Sequence, residues 1–160
     1  MSSNDRPVAI DATSVPARIS RSNLPEIFHA RFTGREKRPL GDVFGLTVFG
    51  VNLTRIPPGG HSALRHVHTK QDEFVYVLEG EPTLVTNSGE TQLRPGMCAG
   101  FKAGNRDAHH LVNRTTKDAV YLEIGDRGAG DEVEYPDDDL MARDGANGKR
   151  LFTRRDGTPY

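Results

Sequence analysis

The chain is predicted to be all-β, a sandwich or barrel of short strands, and three observations carry that prediction. No window holds a helical period over three turns. The apolar segments are short and rich in Val, Leu, Phe, Tyr and Thr, as strands are. Turn signals (Pro57-Pro58-Gly59-Gly60, Asn87-Ser88-Gly89 and Pro95-Gly96) recur between them at short intervals. That cadence fits antiparallel hairpins and leaves no room for alternating βαβ units. At 160 residues the chain fits one domain of ordinary size.

Taken in order, residues 1–40 carry Pro7, Pro16, Pro25 and Pro39 with little periodicity. They read as an extended N-terminal arm, with one helical turn around Leu24–Ala30, packing on a neighbouring subunit. Residues 41–125 hold the barrel strands: Val43–Ile56, Glu73–Gly80, Thr83–Asn87, His109–Asn113 and Ala119–Gly125. Residues 126–160 are polar and read as a C-terminal extension packing on that barrel. It is expected to hold a strand at Glu132–Tyr135, a helical turn starting at Asp137 and a last strand at Arg150–Thr153.

Charge and composition remove several classes of function. With 21 basic and 22 acidic residues the net charge is -1, without the basic surplus of a nucleic-acid binder. No apolar run approaches the roughly 20 residues of a membrane span, and the first residues lack the apolar core of a secretory signal. Cys98 is the one cysteine, which excludes a disulfide framework, and it reads as a buried inert thiol. A cytoplasmic protein is expected.

Histidines carry the chemistry. His66 and His68 alternate on a strand, so both imidazoles face one way. A tight turn through Thr69–Asp72 then brings Glu73 back beside them, and Val75 and Val77 share its face. His109, three residues before Asn113, supplies a third imidazole if it faces inward, with His110 facing the other way. Three imidazoles and one carboxylate suit a divalent first-row metal and leave positions open for a substrate.

This spacing resembles that of the cupin superfamily. Gly60, His66, His68, Glu73 and Gly80 match its first motif at every fixed position. The second motif is partly kept: Gly96 and Gly104 align, Lys102 replaces a proline, and two extra residues precede His109. Spacing and strand parity favour His109 over His110 as the ligand. The resemblance implies a jelly-roll barrel (a double-stranded β-helix), a homodimer, and one divalent ion (Fe, Mn, Zn or Ni) held by His66, His68, Glu73 and His109. Lys102 reads as an anion clamp at the barrel mouth or as a solvated loop lysine. Arg55 reads as a second anion contact or as an edge arginine. Phe74 and Tyr76, opposite Glu73, are expected to pack on the arm or a partner subunit, and the faces of Tyr121 and Glu123 stay open. Asp137–Asp139 is expected to cap a helix start.

The expected function is that of a metal-dependent enzyme acting on a small, anionic, oxygen-rich molecule, with Glu73 as the catalytic carboxylate. Within the resemblance this means a sugar-phosphate isomerase or a lyase. Two alternatives stand beside it: an Fe- or Mn-dependent dioxygenase, and a non-catalytic module that binds a small ligand.

Overall fold

The computed structural model describes residues 6–145 and 149–160. The first five residues of the expected arm, and residues 146–148 of the C-terminal segment, lie outside it. Among the described residues there are thirteen strands, all pairing antiparallel. One six-stranded sheet runs in the order β1 (Arg18–Ile19), β2 (Glu36–Pro39), β3 (Phe49–Ile56), β10 (Ala119–Asp126), β5 (Glu73–Glu79) and β8 (Cys98–Phe101). Facing it are a four-stranded sheet and a three-stranded sheet. The first orders β13 (Arg150–Thr153), β12 (Leu140–Asp144), β11 (Glu132–Tyr135) and β4 (Val67–His68); the second orders β7 (Gly89–Gln92), β6 (Thr83–Thr86) and β9 (His110–Val112). Single bridges, His66 to His109 and His61 to Val112, stitch these two smaller sheets together. The result is a double-sheet jelly roll.

The core falls into two clusters between the layers. Ile56, Val75, Val77, Leu93, Leu111, Ala119 and Tyr121 form one. Phe28, Phe32, Leu64, Val133, Tyr135, Leu140 and Ala142 form the other. Phe28 and Phe32 come from a 3-10 helix at Glu26–Phe32, and Phe32 is fully buried. Two aromatic rings four residues apart bury together once that segment coils, at roughly 1.5 to 3 kcal/mol each. The N-terminal residues therefore fold onto this chain's own barrel. β2 also hydrogen-bonds along β3, from Glu36 opposite Arg55 to Pro39 opposite Asn52. Instead of an extended arm, this segment is two strands of the six-stranded sheet and a 3-10 helix packed on the core.

Three smaller expectations change too. Leu40–Phe44 is a short α-helix (α1), stopped by Gly45, whose φ of 70° leaves the helical region, so β3 starts only at Phe49. Asp137–Asp139 lies in the turn between β11 and β12, where Asp137 and Asp138 pair with Arg65 and Arg31 instead of capping a helix. Cys98 is exposed, because it sits opposite Tyr76 on the outward face of the six-stranded sheet.

Gly80 shows why the first motif ends in glycine. Its φ is +73°, and a Cβ there would stand 2.3 Å from the Asp118 carbonyl oxygen at the start of β10. Only a residue without a side chain lets β5 turn away that close to its neighbour.

Candidate metal centre

The backbone places the four predicted ligands before any side-chain chemistry is considered. His66 and His109 exchange both backbone hydrogen bonds, at 3.1 and 2.8 Å, so their side chains leave the bridge in the same direction. Their ring centroids are 4.8 Å apart. His68 lies two residues on and shares the face of His66. Glu73 starts β5 on the opposite layer and points back at them. Its Oε2 lies 3.2 Å from His66 Nε2, 3.5 Å from His68 Nε2 and 3.1 Å from His109 Nε2. The donor atoms of His66, His68 and Glu73 all lie within 4.8 Å of one another.

Hydrogen bonds behind the rings decide which nitrogen is free. His66 Nδ1 faces the Leu64 carbonyl at 2.8 Å and His68 Nδ1 faces the Asp131 carboxylate at 2.6 Å. Both partners only accept, so each ring carries its proton on Nδ1 and turns an Nε2 lone pair toward Glu73. The ring of His109 is clamped flat against Phe101, with centroids 3.4 Å apart. Glu73 Oε2 is buried, and none of the three nitrogens around it has the geometry of a hydrogen bond to it. A buried, orphaned carboxylate oxygen amid three imidazole nitrogens is a donor set that fits a divalent first-row ion.

Asp131 is the keystone behind His68. Fully buried, it accepts from His68 and from the Lys70 and Gln71 backbone amides, and Arg150 donates to it at 3.0 Å. The turn that returns the chain to Glu73 is thus pinned to the same carboxylate that orients His68. His110 takes no part in the cage. Its Nδ1 meets the Ala63 carbonyl at 3.1 Å, its ring lies 5.4 Å from that of His61, and burial lowers it to about 4.

The comparisons with known proteins follow from this geometry. A cupin domain pattern matches residues 52–125. A crystal structure of a sugar phosphate isomerase of the cupin superfamily from Silicibacter pomeroyi superposes with a TM-score of 0.89 at 44% identity, covering 95% of this chain and 96% of that one. The chain belongs to the cupin superfamily. A protein of Acidithiobacillus ferrooxidans, proposed to be a sugar phosphate isomerase, aligns with this cupin at 32% identity. That match covers 79% of this chain and 80% of the other, with a TM-score of 0.71. A search of curated proteins found no match.

Two further residues singled out in the sequence already hold ion-pair partners in this cupin. Lys102 is 77% exposed and its Nζ already contacts both Asp72 oxygens, at 3.0 and 2.9 Å, so its charge is neutralised on the surface. Arg55 pairs with Glu36 at 2.6 Å and Asp118 at 2.7 Å. It sits opposite Val120 on β10, on the sheet face that turns away from the site. Lys102 borders a small crevice of about 10 Å³ together with His68, Glu73 and His109, while neither residue lines the larger cavity beside the cage.

That cavity, of about 240 Å³, is lined by His66, Glu73 and His109 and by residues the sequence left unassigned: Lys37, Asn52, Tyr121 and Glu123. Glu123 Oε1 accepts from Lys37 Nζ at 2.6 Å and Asn52 Nδ2 at 3.0 Å. The Tyr121 hydroxyl lies 3.5 Å from the other oxygen. Cross-strand register explains the grouping. Glu123 stands opposite Val75 and Tyr121 opposite Val77, so both share the inward face of Glu73. Knowing that β10 pairs with β5 would have revealed them; alternation within β10 alone does not.

Proposed function

We propose that this cupin is a metal-dependent isomerase of a sugar phosphate. In this reading His66, His68, Glu73 and His109 hold one divalent ion (Fe, Mn, Zn or Ni), and Glu123 moves the proton. The observation that carries it is the convergence of three Nε2 atoms on the orphaned Glu73 Oε2 beside a cavity that holds a second, differently placed carboxylate. Kinship at 44% identity, over nearly the full length of both chains, with a sugar phosphate isomerase supports the substrate class.

When bound, the ion supplies Lewis acidity at a carbonyl or hydroxyl oxygen of the substrate. The chain's own groups do the rest. Glu73, expected from sequence to be catalytic, has its Oε2 turned into the cage and serves as a ligand. Glu123 has one oxygen fixed by Lys37 and Asn52 and a second oxygen with only the long Tyr121 contact. That second oxygen takes the proton from the hydroxyl-bearing carbon beside the carbonyl and returns it to the former carbonyl carbon, while the hydroxyl proton passes to the former carbonyl oxygen, so the exchange balances. Burial keeps the Tyr121 phenol protonated, well above its ordinary value, and able to donate.

The test is incubation of metal-loaded protein with aldose and ketose phosphates in D2O without oxygen, followed by proton NMR. Interconversion with deuterium entering the carbon beside the carbonyl is expected, and Glu123→Gln removes it. In a parallel incubation with oxygen, uptake without isomerisation would favour the dioxygenase, and tight ligand binding without turnover the binding module; either result overturns the proposal. The same reading keeps the expected homodimer, supported by the exposed row Phe74, Tyr76 and Leu78 on the outward face of β5. Sedimentation equilibrium tests it, and a monomer at working concentration rejects it.

A further inference from the structure

On the other side of Lys37, Ala63 and His66 lies a second cavity of about 210 Å³. Its floor is apolar, built from Phe32, Val133, Ala142 and Phe152 of the core cluster. Its charged lining is one-sided. Arg35, Lys37 and Arg150 all face it, and among the described residues no Asp or Glu does. The cavity beside the cage, in contrast, carries Glu73 and Glu123.

Two of these cations are balanced from behind. Lys37 is paired with Glu123, and Arg150 with Asp131 and Asp144. Arg35 is not. It is 6% exposed, its terminal nitrogens donate only to the Ser62 and Arg21 backbone carbonyls, and its Nε is buried with no hydrogen-bond partner. No carboxylate among the described residues pairs with it. The guanidinium carbon lies 4.5 Å from the centre of the Phe32 ring, and the two carbonyl contacts fix the group in place. Glu123 acts on it only across space, and a buried guanidinium with no carboxylate in contact is costly unless an anion completes it. Arginine in a planar, fixed pose is also the side chain best matched to a tetrahedral oxyanion.

We propose that this second cavity is the phosphate subsite of the enzyme, with Arg35 as its anchor and Lys37 as the cation shared with the proton-moving cavity. The inference rests on the isomerase reading and adds where the anionic end of the substrate lies. A phosphate monoester enters with its phosphate against Arg35, its carbon chain passing Lys37 and His66, and its reacting oxygen toward the cage. Lys37 then has two tasks: it holds Glu123 in place, and it closes the charge gap between the two cavities. Arg35 touches the substrate far from the reacting atoms, so its loss is expected to raise KM much more than it lowers kcat.

The test uses inorganic phosphate as the probe and protein stripped of metal by chelator, so that it does not depend on turnover. Calorimetric titration is expected to give saturable binding of one phosphate, weakened at least tenfold in Arg35→Met and severalfold in the half-buried Lys37→Met. Acetate at equal concentration is expected to compete weakly, which separates a phosphate subsite from a carboxylate one. Because Arg35→Met removes two bonds to backbone carbonyls, its fold is checked by circular dichroism. If it does not fold, Ala142→Leu, which fills the apolar floor without touching a charge, is expected to block phosphate equally. Absence of saturable binding in the parent would overturn the proposal, as would unchanged affinity in all three variants or acetate binding as tightly as phosphate. If isomerase activity fails while Arg35-dependent phosphate binding persists, the reaction assignment falls and the subsite stands. If activity is present and the phosphate site is absent, the reverse holds.

Discussion

Replacing Asp131 by Asn changes one oxygen to an amide, almost without change of volume, and reaches the proposed metal site only through His68. In the parent, one carboxylate oxygen accepts from the Lys70 and Gln71 amides and the other from His68 Nδ1 and Arg150. An asparagine cannot serve both sets. If its oxygen keeps the two backbone amides, its NH2 faces the Nδ1–H of His68, donor against donor. The imidazole then moves its proton to Nε2 and loses the lone pair that faces Glu73, or it swings away. Partners behind metal-bound histidines are worth about 10- to 100-fold in affinity. Here the bond is short, charge-assisted and fully buried, which places the expected loss in the upper part of that range, about 2 to 2.7 kcal/mol at 1.36 per tenfold. The assay is competition between the stripped protein and a chromogenic chelator for Zn or Mn, with urea unfolding of the metal-free variant as control. The control is expected to show a loss of about 1 to 3 kcal/mol from the imperfect contact with Arg150. A variant that folds and binds metal within twofold of the parent would refute the link between Asp131 and His68.

Other expected outcomes follow from the same geometry. Gly80→Ala puts a Cβ against the Asp118 carbonyl at a left-handed backbone position, and is expected to lower stability in urea by more than about 2 kcal/mol; a loss under 1 would mean the turn relaxes freely. His109→Ala is expected to remove most bound metal measured by mass spectrometry while His110→Ala keeps it, since His110 faces the Ala63 carbonyl; the reverse result would exchange their roles. Asp42 and Asp137 are held below the ordinary carboxylate range, chiefly by hydrogen bonds from Arg127 and Arg65. Their contribution is complete above the unfolded value near 4 and disappears as pH falls through the lower folded values. Both are partly exposed, so each adds under about 1 kcal/mol. The stability gap between parent and Asp42→Asn is expected at pH 7 and to close near pH 3; a gap that ignores pH would contradict the assignment.

Three of the four candidate ligands were legible as a group in the sequence because their spacing is local. His66, His68 and Glu73 lie within eight residues, and strand parity with one tight turn is enough to aim them together. β11 and β13 were legible for the same reason, each a short β-rich run between turn residues. The rest of the site depends on which strands pair. Glu123, Tyr121 and Lys37 reach the cavity through the pairing of β10 with β5 and of β2 with β3, at sequence separations no local pattern reports. Lys37 was hidden further because four prolines gave its segment the look of a free arm. Asp131 was unreadable as a partner of His68: 63 residues apart, it sits in a polar stretch like any surface acid. Lys102 stood out in the sequence only as a departure from the family motif; its contact with Asp72 and its place on the crevice that reaches His68 and Glu73 depend on the fold.

The central claim is one divalent ion held by His66, His68, Glu73 and His109. Anomalous diffraction from crystals grown with Mn or Zn, collected on both sides of the metal edge, tests it most directly. The account predicts one strong peak inside the jelly roll, about 2.0 to 2.3 Å from the three Nε2 atoms and from a Glu73 carboxylate oxygen. No peak at that point in metal-saturated crystals, or a peak ligated by other residues with the His66 and His68 rings turned away from it, would contradict it.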